Sequence, residues 1–290
     1  MKLNPVFKNE VKLGSRTMKS SWLVFGYNLI LIIVSMSVLY GMIEPAHYGY
    51  SVDFSGMVSL YVVMTYLEFA MILLIIPAIT AGSIAGERER QTLDMLLATK
   101  MKPYSIVLVK LESSLSSVLM LAVSSLPVLS IVFIYGGVGI LELIKFVIIL
   151  CVSAVFIGSI GIFFSAWARR VTTATILSYL TLILFLVGTF AIEKGIYSMA
   201  EMKVMALSGD VQATVGNMIF LLLLNPAVTF YGLISAQVGS SYAVAELCAS
   251  FGVTAEGGIF EWWVLLSMAL QLLFSIVFLY LAGRRINPLK

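Results

Sequence analysis

Charged side chains crowd into one short stretch of an otherwise apolar chain. Five of them fall within the eight positions from 87 to 94, namely Glu87, Arg88, Glu89, Arg90 and Asp94. Good helix formers fill this stretch, and it ends before Lys100 and Pro103, where a helix C-terminus is favoured. The sequence therefore predicts a short helix over residues 87–97.

The predicted helix has two chemically different sides. Leu93, Leu96 and Leu97 lie on one side, and Glu87, Gln91 and Asp94 lie on the other. Leucines can fill a cleft while carboxylates and arginines fix the orientation, so the pattern suits docking onto a soluble partner. A solvated loop whose charges only anchor the neighbouring membrane spans is the alternative that composition leaves open.

A single carboxylate, Glu68, stands near the middle of a long apolar segment. An ionised carboxylate at the centre of a bilayer is costly and usually marks a pathway or a proton relay. The functional interpretation is a group that contacts a cation or the substrate on the translocation pathway. The alternative is a neutral carboxyl that bonds to a tyrosine or serine hydroxyl and serves packing.

Residues for other chemistry are scarce. The chain has one histidine, His47, and two cysteines, Cys151 and Cys248. We therefore expect no catalytic residues, no metal site and no disulfide framework. The nearest approach to a phosphate-binding loop, residues 14–20, lacks the second glycine, so the chain is expected to be no enzyme and to bind no cofactor itself.

The composition places the chain in a membrane. Hydrophobic residues make up 60% and charged residues 11%, against roughly 45–50% and 25% in soluble proteins. This excludes a soluble enzyme, a disordered tail and a nucleic-acid binder. We predict an all-α integral membrane protein whose six apolar segments are long enough to span a bilayer. They are 22–43, 57–82, 104–135, 141–167, 171–192 and 262–283.

A seventh apolar stretch, 215–238, is interrupted by Asn225-Pro226. With six spans and both termini in the cytoplasm, all Lys and Arg residues except Lys145, Lys194 and Lys203 lie on the inner side, as the positive-inside rule favours. A seventh span would move the C-terminal arginines outside. The stretch is therefore predicted to be a re-entrant hairpin in an outer region, 193–261, between the fifth and sixth spans.

The remaining parts complete one transmembrane domain over 1–290, with spans one to five in 22–192 and the sixth span with an inner tail in 262–290. Residues 1–21 separate into an apolar and a cationic side when drawn as a helix. This pattern predicts an amphipathic helix on the inner membrane surface. The alternative is that its lysines only enforce the topology.

The run from Gly82 to Leu97, followed by Tyr104–Lys110, resembles the signature of ABC-2 type permeases, the membrane subunits of ATP-driven transporters. The resemblance implies that this segment is the coupling helix that contacts an ABC ATP-binding subunit. By the same resemblance, Glu87, Arg88, Glu89 and Thr92 are contact positions, and Asn225-Pro226 matches the outer re-entrant region. A second permease chain, the same or homologous, is also implied.

These observations favour a multi-pass permease in the plasma or inner membrane. It is expected to export a small amphipathic, peptide-like or drug-like substrate. ATP and Mg²⁺ would bind the partner subunit, which docks on residues 87–97. The alternative is a stand-alone secondary transporter that uses Glu68 as an ion or proton site. An intramembrane hydrolase fits worst, because the spans offer no histidine as base or ligand.

Overall fold

Long helices make up nearly all of the residues that the structure describes. The computed structural model describes residues 18–44, 48, 56–93, 103–134, 139–207, 213–240, 242–253 and 260–286. Within these ranges the chain contains no β-strand, and six helical segments are long and apolar enough to cross a membrane. The predicted all-α architecture with six spans is confirmed.

Nine α-helices occupy the described ranges. They are α1 (Met18–Ile43), α2 (Gly56–Glu89), α3 (Pro103–Ile134), α4 (Ile140–Trp167), α5 (Val171–Ile183), α6 (Thr189–Leu207), α7 (Pro226–Gln237), α8 (Ala243–Ala249) and α9 (Trp263–Ile286). A π-helical turn, Leu184–Gly188, joins α5 to α6, and a 3-10 helix, Gly216–Leu224, precedes α7. The first four spans are α1 to α4, the fifth is α5 with α6, and the sixth is α9.

The helices of the first and fifth spans extend beyond their predicted boundaries. Residues 18–21 belong to the helix of the first span, whereas the rest of the predicted surface helix, 1–17, lies outside the described residues. The fifth apolar segment was predicted over 171–192, and its helix continues beyond that segment to Ala206, for 36 residues in all. Lys194 and Glu201 do not end it, because both lie on its exposed side.

The fourth span, α4, is the centre of the bundle. In its most apolar stretch 67% of the residues are buried, the largest share among the six spans. Small residues allow its neighbours to come close. A Cβ atom added to Gly161 would lie 1.9 Å from Thr80 Oγ1 of α2, so only glycine fits at this contact. The second and fourth spans therefore pack almost backbone to backbone.

The bundle has two ends, which we name by their contents. The motif end holds Glu89, Pro103, Trp167 and Val171, and the hairpin end holds the 3-10 helix and α7. The fifth span is joined to the second between these ends. Pro77 lacks an N–H and so disturbs the α2 hydrogen bonds one turn earlier, and there the Tyr179 hydroxyl of α5 donates to the Leu74 carbonyl.

Candidate functional site

The charged motif begins on the last turn of the second span. α2 continues to Glu89, Arg90 N still donates to Gly86 O at 3.1 Å, and Gln91 has a left-handed φ of +58°. The prediction of one continuous helix over 87–97 is therefore wrong at Gln91. The helix continues beyond the predicted apolar segment, 57–82, because residues 82–89 contain no proline. It ends where the backbone turns at Gln91. Leu93 is helical again, and residues 94–100 lie outside the described ranges.

Glu87 and Thr92 close this turn. Thr92 N donates to the Glu87 carbonyl at 2.9 Å, and the Thr92 hydroxyl donates to the Glu87 carboxylate. The same carboxylate pairs with Lys110 Nζ of α3 at 3.4 Å. The side chains of Glu87 and Lys110 are largely covered, so the pair is better shielded from water than a surface ion pair. Glu87 thus fastens the end of the second span to the third.

Arg88 and Glu89 contact the turn between the fourth and fifth spans, and we call this pair the Arg88–Glu89 clamp. Arg88 donates from Nη1 to Ala168 O at 2.8 Å and from Nη2 to Ala166 O at 3.1 Å. Glu89 Oε1 accepts from Val171 N, the first amide of α5, at 2.9 Å. The clamp therefore binds the end of α4 and the start of α5 to the end of α2.

The leucines of the motif separate into two groups. Leu93 is only 7% exposed and packs with Ile84, Val107 and Ile286 in the apolar core of the motif end. Leu96 and Leu97 lie outside the described residues. Leu93 therefore fastens the start of the segment to the bundle. Seven residues of this segment were predicted to contact a partner, and that contact stays a prediction. They are Glu87, Arg88, Glu89, Thr92, Leu93, Leu96 and Leu97.

Glu68 is sealed between the first three spans. Its side chain is 0% exposed, and its polar neighbours are the hydroxyls of Tyr27 on α1 and Ser125 on α3. Beside them, Asn28 Nδ2 donates to Ser124 Oγ at 2.9 Å. Both hydroxyls lie within hydrogen-bonding reach of the Glu68 carboxyl, although neither bond has ideal geometry. The tyrosine and serine neighbours that the packing alternative requires are therefore present.

Asn225 lies where the 3-10 helix and α7 meet at 90°. Its Oδ1 caps α7 by accepting from Ala227 N at 2.9 Å, and Pro226 takes the first helical position, where no N–H is needed. Its Nδ2 donates to Leu186 O at 2.9 Å and to Thr189 Oγ1 at 2.8 Å. Leu186 is in the π-helical turn, so Asn225 both starts α7 and fastens it to the fifth span.

A buried hydroxyl and amide network continues from Asn225 to the sixth span. Thr229 Oγ1 donates to Asn225 O at 3.0 Å, and Gln271 Nε2 of α9 donates to Thr229 Oγ1 at 2.8 Å. Ser267 of α9 bonds to Thr229 as well. We did not predict these residues from the sequence. Their signal was the spacing of Ser267, Gln271 and Ser275, which repeats every four positions along one face of an apolar helix.

The far end of α7 is fastened too. The Tyr61 hydroxyl of α2 donates to Gln237 Oε1 at 2.7 Å, and Gln237 Nε2 donates to the Glu142 carbonyl of α4 at 2.9 Å. The broken helix pair is therefore held by the second, fourth, fifth and sixth spans. This satisfies the polar groups that a break in a helix exposes within a membrane.

Comparison with models of known protein families identifies the family of this chain. The model of the ABC-2 family transporter proteins matches residues 46–282. The chain belongs to the ABC-2 transporter family. It is accordingly the membrane permease subunit of an ABC transporter and a multi-pass membrane protein. A search of curated proteins finds no match.

This ABC-2 permease contains a second buried carboxyl, Glu193 on α6, the first residue of the predicted outer region 193–261. Glu193 is 0% exposed, and its oxygens have no hydrogen-bond partner among the described residues. Its helical neighbours Phe190 and Tyr197 pack on an apolar cluster that contains Cys248 and Trp263. Burial, and to a smaller extent the Glu193 charge, raises the pKa of Cys248 to about 12, so this side chain stays a thiol at neutral pH.

The permease has no evident metal-binding cluster in its described ranges. Groups of three or more His, Cys, Asp and Glu side chains that could hold an ion are absent there. Some buried hydroxyls bond to carbonyls of their own helix, as Thr80 and Ser159 do, and others link helices, as Ser165 and Thr229 do. The geometry at both ends of the bundle suits mechanical coupling between spans.

Proposed function

We propose that a separate ATP-binding subunit docks on residues 87–97 and drives this permease to export a small amphipathic, peptide-like or drug-like substrate. The observation that carries the proposal is the fastening of this segment to the bundle. Glu87 bonds to the third span, and the Arg88–Glu89 clamp bonds to the fourth and fifth. A force applied to the segment therefore reaches four spans at once.

The hydrophobic part of the docking contact is assigned to Leu96 and Leu97. Leu93 is already buried in the core of the motif end, so it anchors the segment instead of entering a partner. Glu87, Arg88, Glu89 and Thr92 hold the turn in the position that the partner meets. ATP and Mg²⁺ bind the partner subunit, and their hydrolysis moves the segment.

The motif end faces the cytoplasm of a cell with this protein in its plasma or inner membrane. A second permease chain, the same or homologous, completes the transporter. The first span presents a large apolar surface for lipid or for that second chain. Its exposed side chains include Trp22, Phe25, Ile33, Met36 and Tyr40. The broken helix pair is the outer re-entrant hairpin.

Co-purification tests the function directly. The ATP-binding subunits encoded in the source genome are co-expressed one at a time with the tagged permease. One of them is expected to form a stable complex in detergent, with ATPase activity that rises when the permease is present. Failure of every subunit to bind, with a correctly folded permease, would contradict the proposal.

Glu68 is proposed to contact the substrate or a coupled cation on the translocation pathway, because its carboxyl is fully buried among the spans beside the hydroxyls of Tyr27 and Ser125. Glu68→Gln is expected to lower the rate of dye efflux from vesicles by about tenfold. Assembly with the ATP-binding subunit stays intact. Glu201→Gln, an exposed carboxyl on α6, is the matched control. Full efflux in the Glu68→Gln protein would show that Glu68 serves packing alone.

A stand-alone secondary transporter is the second candidate function. The same buried Glu68 favours it, since a carboxyl within the spans can bind and release a proton or a cation. This function needs no second subunit and no docking segment. It therefore predicts transport that depends on an ion gradient and is indifferent to ATP.

A further inference from the structure

We propose that the Arg88–Glu89 clamp is the joint that carries movement of the docking segment into the fifth span, and through it to Asn225 of the hairpin. This inference rests on the proposed function. It assigns Arg88 and Glu89 a positioning role inside the permease, whereas docking onto the partner falls to the residues after Gln91.

The clamp supplies caps that α4 and α5 do not supply themselves. The fourth span ends at Trp167 and the fifth begins at Val171, so only 168–170 connect them. The Arg170 side chain gives α5 no cap among the described residues. A helix leaves carbonyls with negative partial charge at its C-terminus and amides with positive partial charge at its N-terminus. Arg88 meets the carbonyls and Glu89 meets the amide, so each charge has the favourable sign.

Close packing beneath the clamp makes the joint stiff. Ala81 and Ala85 of α2 form an apolar cluster with Ala168 and Ala174, against which Val171 packs. Cβ atoms added to Gly82 and Gly86 would lie 3.6 and 3.7 Å from the Val171 side chain. A methyl group would still fit at either glycine, so the stiffness of the joint comes from the alanine cluster and from the hydrogen bonds of the clamp.

A buried serine locks the second and fourth spans together next to this cluster. Ser165 Oγ of α4 accepts from Ile84 N and from Ala85 N of α2, each at 2.9 Å. A side-chain oxygen that takes two main-chain amides of another helix leaves that helix little freedom to rotate. At the motif end, α2, α4 and α5 therefore move together as one block.

The fifth span connects this block to the hairpin. From Val171 to Leu186 the chain is helical, a distance of roughly 22 Å at 1.5 Å per residue. At its far end the Leu186 carbonyl accepts from Asn225 Nδ2. A tilt imposed at Val171 is thus transmitted along a rigid helix to the residue at which the broken pair bends.

Neighbouring residues of the motif divide the roles. Glu87 contacts the third span, the clamp contacts the fourth and fifth, and Arg90 has an exposed side chain on the same turn. Arg90 is therefore a matched control for Arg88. It has the same side chain and lies directly after Glu89, the last residue of α2. Glu89→Gln keeps an acceptor oxygen for Val171 N and serves as the conservative variant.

A reporter cysteine at the hairpin tests the joint without knowledge of the cargo. Val238→Cys, at the exposed end of α7, is placed in a Cys151→Ala, Cys248→Ala background of the full complex in lipid nanodiscs, in which both faces of the permease are open to added reagents. The rate of labelling by a membrane-impermeant maleimide is measured with and without ATP and Mg²⁺. Assembly and ATPase activity are measured on the same samples.

ATP is expected to change the labelling rate in the parent and in Arg90→Ala. Arg88→Ala and Glu89→Ala are expected to lose that change while they still assemble and hydrolyse ATP, and Glu89→Gln is expected to restore it. An ATP-dependent change in labelling that persists in both alanine variants would contradict the proposed role of the clamp. Loss of assembly in these variants would contradict it too, because Arg88 and Glu89 would then be docking contacts. Absence of any complex with the parent permease would instead contradict the proposed function.

Discussion

Replacing Leu96 and Leu97 together by aspartate is expected to abolish the complex with the ATP-binding subunit, weakening it by about a hundredfold or more. Two leucines that fill a partner's cleft contribute most of the hydrophobic contact, and a buried carboxylate without a partner opposes binding. The dissociation constant of the purified subunits in detergent measures the effect. The permease itself is expected to fold, because Leu93 still anchors the start of the segment.

A matched pair of substitutions controls for the added charge. Thr99→Asp with Met101→Asp adds the same two carboxylates close by and leaves both leucines in place. This variant is expected to bind within about threefold of the parent, because charges at a rim contribute little. Equal binding by the leucine variant and the control would show that the partner does not use the leucines.

Removing the Asn225 side chain is expected to destabilise the permease by about 2–4 kcal/mol. Asn225→Ala loses the cap of α7 and both bonds to the fifth span, at a position where water cannot replace them. Thermal unfolding in detergent measures the loss, which corresponds to a fall in Tm of roughly 5–15 °C. Asn217→Ala, at an exposed position of the same hairpin, is the control and is expected to unfold like the parent.

Asn225→Asp separates the two roles of this residue. Aspartate keeps the acceptor for Ala227 N but cannot donate to Leu186 O or Thr189 Oγ1 when it is ionised. A melting temperature as low as that of Asn225→Ala would assign the stability to the bonds with the fifth span. A melting temperature near that of the parent would assign it to the helix cap and contradict the fastening described above.

Hydropathy and charge were enough to predict the spans and the break in the hairpin. A bilayer requires helices of a fixed minimum length, so the six apolar segments are visible without tertiary information. Asn225-Pro226 is a strong local signal, because the proline cannot continue the preceding helix and the asparagine caps the next one. The family comparison confirms the resemblance drawn from the charged motif.

Contacts between distant residues were beyond the sequence. Arg88 and Ala168 are 80 positions apart, and nothing in the helical period of either segment shows that they meet. For the same reason the charged motif alone suggested a surface that faces a partner, whereas the structure places four of its residues in contacts within the chain. Those four are Glu87, Arg88, Glu89 and Thr92.

Charged residues do not mark the end of the fifth helix. Glu193 and Lys194 were interpreted as its outer boundary, but the helix continues and buries Glu193 on one side while Lys194 stays exposed on the other. A single charge in a sequence does not show which side of a helix it occupies. That orientation depends on the hairpin and on α8, whose packing is a tertiary property.

Substrate uptake into sealed inside-out vesicles tests most directly whether a separate ATP-hydrolysing subunit drives transport by this permease. Vesicles with the permease alone and vesicles with both subunits receive a panel of fluorescent amphipathic dyes and short peptides. We predict uptake only when the ATP-binding subunit, ATP and Mg²⁺ are all present, with no response to an imposed proton or sodium gradient. Gradient-driven uptake by vesicles that hold the permease alone would contradict the account.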